Sequence, residues 1–144
     1  MRIKIIAVGH KQGFELALYE EYTKRLSYPI KLIEIAVTKN PKTLAQAYLK
    51  AIAKEDLVIL LDETGENLSS PEFAKKLDQL HQTGKRLCFI IGEADGIPLE
   101  VKNLKHSSIA FGKATWPHLL VRALLAEQLY RAQQIGLNHP YHRS

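Results

Sequence analysis

The sequence predicts an α/β fold in which a mostly parallel β-sheet is flanked by helices. Strand-like and helix-like segments alternate along the 144 residues, and strand followed by helix, repeated, is the order that builds a layered parallel sheet. Two of the strand-like runs, LVILL at 57–61 and LCFII at 87–91, carry no polar alternation, as expected of central strands covered on both faces. No repeat, low-complexity tract or linker divides the chain. Its 46% hydrophobic and 24% charged residues match one globular domain over 1–144 that can bury a substantial share of its surface.

Taken in order, IKIIAVG at 3–9 is the first strand, short, β-branched and closed by a turn former. Residues 14–26 have helical spacing of apolar positions, and IKLIEIAV at 30–37 returns as a strand. TKNPK at 38–42 is the most loop-like stretch, with Lys39 and Lys42 read as solvated. A helix over 43–53 leads to the third strand at 57–62. The next helix, 71–82, has a strong start: Ser70 can cap the orphan N–H groups, Pro71 suits the first helical position, and Glu72 favours the positive end of the dipole. The fourth strand is 87–92, a short helix lies near 99–105, SSIAFG at 107–112 is a weaker fifth strand, and the longest helix runs over 117–135.

Composition narrows the function. No stretch approaches the roughly 18 unbroken apolar residues of a membrane span. The start, MRIKIIAVGHK, reads as a strand and a turn without the cleavage site of a signal peptide, so a cytoplasmic protein is expected. The single Cys88 cannot form an internal disulfide and sits inside an apolar run, which reads as a buried structural thiol. A net charge of +5 permits a polyanionic partner. From Lys113 onward four Lys or Arg face one acid, Glu127, and the chain closes on His139, Tyr141, His142 and Arg143 within five residues. Ordinary chain ends are chemically bland, so this tail is a candidate functional element.

Ligands of open parallel sheets bind beyond the carboxyl ends of the strands. That selects three loops, LLDETGENLSS, IIGEADGIP and AFGKATWPH, each with glycine at or near the strand exit, where backbone can approach a ligand. GEADG lacks the dinucleotide spacing, and there is no Walker A pattern. Asp62 and Glu63 are adjacent residues leaving a strand, which should point in different directions and so argue against paired-carboxylate chemistry. His10, Lys11, Lys24 and Arg25 read as solvated surface.

The segments VILLDETGENLSSPEFAKKL, FIIGEADG, GKATWPHLLVRALLAEQLYRA and HPYHR closely resemble the RlmH family of SPOUT methyltransferases, in the same order and over nearly the whole chain. The resemblance implies a homodimeric, S-adenosylmethionine-dependent enzyme with a deep C-terminal trefoil knot, which methylates N3 of a pseudouridine in the helix 69 hairpin of 23S rRNA in the ribosome. It implies a cofactor pocket made by Leu61, Gly92 and the loop Phe111, Gly112, Lys113, Ala114, Thr115 and Trp116, with Trp116 lining adenine or plugging the core. Members commonly carry a second glycine after the first in the fourth-strand loop, where this chain has Glu93. If that position needs φ > 0, Glu93 introduces strain; if it faces the cofactor, its charge attracts the sulfonium or repels the ligand carboxylate.

By the same resemblance the tail takes catalytic roles. Transfer to N3 requires in-line positioning, worth roughly 7 to 11 kcal/mol in favourable cases, and removal of a proton, where a general base supplies about 10² to 10⁴-fold. No metal is needed. His118, at a helix start that disfavours imidazolium, is the candidate base or a substrate contact; its plain alternative is a packing histidine. Tyr141 can stack on or hydrogen-bond the base, Arg143 can neutralise a developing oxyanion or clamp phosphate, and His142 is an alternative base. Arg122 and Arg131 can face RNA, but the last helix equally reads as an amphipathic dimer helix with an ordinary Glu127–Arg131 pair. Two other readings stay open: a non-catalytic ribosome- or RNA-binding protein with Glu93 blocking the cofactor, and a tRNA methyltransferase.

Overall fold

Five parallel strands form one sheet in the order β2-β1-β4-β3-β5: β1 (Ile3–Val8), β2 (Ile30–Ile35), β3 (Leu57–Asn67), β4 (Leu87–Ile91) and β5 (Ser107–Ala110). The computed structural model describes residues 1–10, 12–93 and 95–143, so Lys11 lies outside the described residues. Between the strands run α1 (Gly13–Thr23), α2 (Pro41–Ala51), α3 (Ser70–His81), α4 (Leu99–Lys102) and finally α5 (His118–Gly136).

The unalternating hydrophobic runs have the predicted cause. Ile3, Ile5, Ala7, Leu57, Ile59, Leu61, Leu87, Phe89 and Ile91 pack against α1, α3 and α5 through Tyr19, Phe73, Leu77, Leu125 and Leu129. The alternate residues Ile6, Val8, Val58, Leu60, Cys88 and Ile90 pack on the other face with Tyr48, Ile97 and Val101. Each such side chain contributes about 1.5–3 kcal/mol of burial. Both faces of β1, β4 and the first half of β3 are thus inside, and Leu125 and Leu129 of α5 belong to this core, while Leu119, Leu120 and Leu124 of the same helix are half-buried.

Among the described residues Lys4, Arg122 and Gln134 are the buried polar side chains, and the two charged ones are paired. Lys4, on the α2 face of β1, donates from Nζ to the Asp56 carboxylate at 2.6 Å and to the Ala51 carbonyl at 2.9 Å, closing the amino end of the sheet. Arg122, in the second turn of α5, is 1% exposed. Its guanidinium donates to Glu34 of β2 at 2.6 Å and to the carbonyls of Val8 and Gly9 at 2.7 and 2.6 Å. It therefore does not face RNA; it bolts α5 across the carboxyl ends of β1 and β2.

Caps fall one or two residues from the expected places. Ser69, not Ser70, caps α3, accepting from the Glu72 N–H at 3.2 Å while the Glu72 carboxylate accepts from the Ser69 N–H at 2.8 Å, the reciprocal capping box. Asn40 caps α2 through the N–H groups of Lys42 and Thr43, with Pro41 in the first turn, so half of the loop-like TKNPK is helix. α5 ends in a Schellman turn: Asn138, at φ 53°, lets the His139 N–H reach the Gln134 carbonyl at 2.9 Å and its own N–H reach that of Ile135 at 3.0 Å. This reverses the tail onto α5.

The largest departure is β3, which continues beyond Asp62 to Asn67. Leu61 and Glu66 both align with Ile109 of β5, so residues 62–65 arch out of the ladder. Gly65 makes the arch possible: a Cβ there would lie 2.7 Å from the Ile109 nitrogen and the Ser108 carbonyl carbon.

Gly65→Ala is expected to destabilise the protein by about 1–3 kcal/mol, because backbone must move, whereas Gly136→Ala, where a Cβ meets nothing within 4 Å, should stabilise by about 0.5–1 kcal/mol; urea unfolding of the two variants checks the opposite signs. Burial pushes the Cys88 thiol up to about 12, with the Asp56 charge adding, and burial likewise raises Tyr28 to about 12 and Tyr19 to about 12, the latter against the pull of Arg122. The unfolded chain releases these protons at ordinary values, so it binds fewer protons than the native state once pH passes the thiol range, and stability is intact below that range and lost as pH rises towards 12. The urea midpoint should therefore fall between about pH 8 and about pH 10.5.

Candidate active site

The carboxyl ends of β3, β4 and β5 open into a cleft of about 200 Å³. Leu61, Ile91, Ile97, Ile109 and Val121 give it apolar walls, and the loops that leave β3, β4 and β5 form its rim. Gly92 is needed for closure, since a Cβ there would sit 2.8 Å from the Ile97 side chain and 3.1 Å from the Gly96 carbonyl carbon. Gly96, at φ 85°, turns the chain so that its N–H meets the Glu93 carbonyl at 2.8 Å. Behind this wall the buried Tyr48 hydroxyl donates to the Ile91 carbonyl at 2.8 Å; burial first, then the negative charge of Glu93, holds that hydroxyl far above the usual tyrosine range.

The loop after β5 forms the opposite side. Gly112, at φ 85°, donates its N–H to the Asn67 side chain at 3.1 Å. Trp116 donates its indole N–H to the Phe111 carbonyl at 2.8 Å, folding the loop on itself, and the Thr115 hydroxyl donates to the Glu63 carboxylate. Phe111 is anchored edge-on to Phe73, 6.5 Å between ring centroids. Of the residues singled out from sequence, Leu61, Gly92, Phe111, Gly112, Ala114, Thr115 and Trp116 line this one cleft; Lys113 is exposed and does not. Trp116 is 44% exposed and plugs no core.

Sequence reasoning missed several lining residues. Asp62 and Glu63 both line the cleft, because the arch of β3 breaks the two-residue period that should have sent them apart. Lys102 of α4 lines it too, its Nζ 4.0 Å from Asp62. Glu93 faces the cleft at ordinary negative φ: among the described residues Asn138 is the non-glycine residue at positive φ, so the strain considered for Glu93 is absent. The lining suits S-adenosylmethionine: an apolar slot fits a purine, and the carboxylates of Asp62, Glu63 and Glu93 fit a cation. Among the described residues no group of three or more His, Cys, Asp or Glu is placed to hold a metal.

The four predicted catalytic residues are not gathered in one place. His118 opens α5 beside Gly9, where a Cβ would lie 3.9 Å from its Nε2. The tail instead rests on the middle of α5. The Tyr141 hydroxyl donates to Glu127 at 3.0 Å, its ring packs edge-on to Tyr130 at 4.8 Å, and the Arg131 guanidinium lies 4.7 Å above it. Burial, with hydrogen bonds to Tyr22 and Glu127, pushes its hydroxyl above the usual tyrosine range, so Tyr141 serves as a donor. Arg131 pairs with Glu127 at 2.6 Å, as expected from their spacing, and donates to His142 Nδ1 at 3.1 Å. A guanidinium cannot accept a hydrogen bond, which leaves the imidazole proton on Nε2. Arg143 is exposed. Glu127 lies nine residues beyond His118, roughly 13 Å along the helix, so one chain does not bring its tail to its own His118.

A family model described as "Predicted SPOUT methyltransferase" matches residues 1–142. The chain is similar to the ribosomal RNA large subunit methyltransferase H of Rhodospirillum centenum, 41% identical over 152 aligned residues with 100% of both chains covered. It is also similar to the protein of the same name from Zymomonas mobilis, 41% identical over 145 residues with 99% of each covered. Among solved structures it is similar in fold to a probable methylase family protein from Haemophilus influenzae, with a TM-score of 0.59 at 11% identity over 99% of this chain and 70% of that one. A five-stranded parallel sheet, a cleft at its carboxyl end, a family model over nearly the whole length and full-length relatives of one name together establish that the chain belongs to the SPOUT methyltransferases, in the RlmH family.

Proposed function

We propose that the protein is a single-domain, cytoplasmic, homodimeric enzyme that transfers a methyl group from S-adenosylmethionine to N3 of a pseudouridine in 23S rRNA within the ribosome. The observation that carries the proposal is the cleft at the ends of β3, β4 and β5, where apolar walls, strand-end loops and carboxylates converge. The relatives' name supports ribosomal RNA as the substrate. The C-terminal threading expected of the family belongs to the same proposal.

When bound, S-adenosylmethionine supplies a methyl group on a positively charged sulfur. The chain's residues supply the rest. Leu61, Gly92 and the loop Phe111 to Trp116 hold the donor, and the Trp116–Phe111 and Gly112–Asn67 hydrogen bonds keep that loop in shape before anything binds. His118, at the uncapped amino end of α5, accepts the N3 proton as a neutral imidazole. Because a chain's own tail lies roughly 13 Å along α5 from its own His118, the dimer is what lets the tail of one copy meet the cleft of the other. There Tyr141 orients the base, Arg143 takes phosphate or the developing oxyanion charge, and His142, with its proton on Nε2, donates a hydrogen bond.

Purified protein incubated with tritiated S-adenosylmethionine and ribosomes from a strain lacking its own copy should label one pseudouridine in 23S rRNA; label in tRNA instead, or none on any RNA, would refute the substrate assignment. In the same assay His142→Gln, which keeps an acceptor for Arg131 and an N–H to donate, should stay within about tenfold of wild type, while a loss of about 10²-fold or more would make His142 the base.

A further inference from the structure

The cleft is more acidic than a site for a zwitterionic ligand requires. Among the described residues, Asp62, Glu63 and Glu93 line it against one cation, Lys102. Two of the carboxylates are engaged. Asp62 accepts from the Thr64 N–H at 3.1 Å and lies 4.0 Å from Lys102, and Glu63 accepts from Thr115. Among the described residues the Glu93 carboxylate has no hydrogen bond or ion pair, and its backbone carbonyl is held by Gly96 so that the side chain stays at the cleft. Its charge is felt at the buried Tyr48 hydroxyl, which is fixed to the Ile91 carbonyl in the cleft wall.

A half-buried charge with no partner among the described residues, beside apolar walls, acts on whatever enters. The methyl donor and the product left after transfer differ by one methyl group and one positive charge, on sulfur, and share every other group. Adenine contacts, ribose contacts and contacts to the amino acid end cannot tell them apart. Only contacts to the methyl group and the field at the sulfur can, and a carboxylate supplies the field. Resting on the donor reading of the cleft, we propose that Glu93 is a specificity residue that makes the site prefer the cationic methyl donor over its neutral thioether product, so that product leaves readily after each turnover.

Calorimetric titration of the wild type and of Glu93→Gln with S-adenosylmethionine and with S-adenosylhomocysteine tests this. The wild type should bind the donor more tightly than the product. Glu93→Gln, which keeps the shape and removes the charge, should lose about tenfold in donor affinity with product affinity unchanged, and that unchanged affinity also reports an intact cleft. Equal weakening of both ligands would place Glu93 at the amino acid end that they share and overturn the proposal; so would an unaltered ratio. Should the variant bind neither ligand, the salt dependence of the wild-type ratio decides: added salt must erode the donor preference, and a salt-independent ratio overturns the proposal. Failure of the wild type to bind either ligand would instead bring down the donor reading of the cleft itself.

Discussion

Burying an arginine is costly, and the structure places Arg122 where that cost is repaid by three acceptors at once. Its guanidinium meets a carboxylate of β2 and two successive carbonyls at the end of β1. Carbonyls at a strand end have lost their ladder partners and must be satisfied by something. Arg122 does this from the last helix, joining the first and last elements of the chain. Breaking such a buried pair leaves an uncompensated charge, at a typical cost of about 3–5 kcal/mol. The start of α5 is therefore fixed relative to the sheet, and with it the loop that joins β5 to α5.

That loop is half of the cleft. Its other half, the turn after β4, is held by Tyr48 and by the close approach of Gly92 to Ile97. The loop after β5 is held by Asn67 and Glu63 of the extended β3, so both halves are shaped by contacts made within the fold. Such a site is preorganised by the fold, which suits chemistry that asks for positioning above all. The catalytic side chains proposed for the RNA, by contrast, lie on a tail that curls back through a Schellman turn and a Glu127–Arg131–Tyr141 network. The cleft and the tail are anchored apart on one chain, and the proposed pairing of two copies is what would bring them together.

The fold was legible because its signals are local. Unalternating runs mark β3 and β4, and Pro71 marks the start of α3 within one residue, whereas Pro41, inside the loop-like TKNPK, is the first residue of α2. What escaped was set by tertiary contacts. DETGEN is polar and turn-like, so nothing in it announces a strand; it pairs only because Gly65 lets β5 come close. The same arch aims Asp62 and Glu63 at the cleft, against the alternation a regular strand would impose. Sequence leaves Arg122 between an RNA-facing and a dimer-helix position because arginine is seldom buried without a partner, and its partner, Glu34, lies in β2, far away in sequence. The glycines at the strand ends pointed to the cleft, but the separation of His118 from the tail depends on the length of α5 and the reversal at Asn138, which residue types alone do not convey.

The central claim is that the cleft at the ends of β3, β4 and β5 is the methyl-donor site. A crystal structure of the protein grown with S-adenosylmethionine tests it most directly. The account predicts ligand density enclosed by Leu61, Gly92 and the loop from Phe111 to Trp116, with the sulfur on the side of Glu93. Density elsewhere on the chain, with this cleft filled only by solvent, would contradict it.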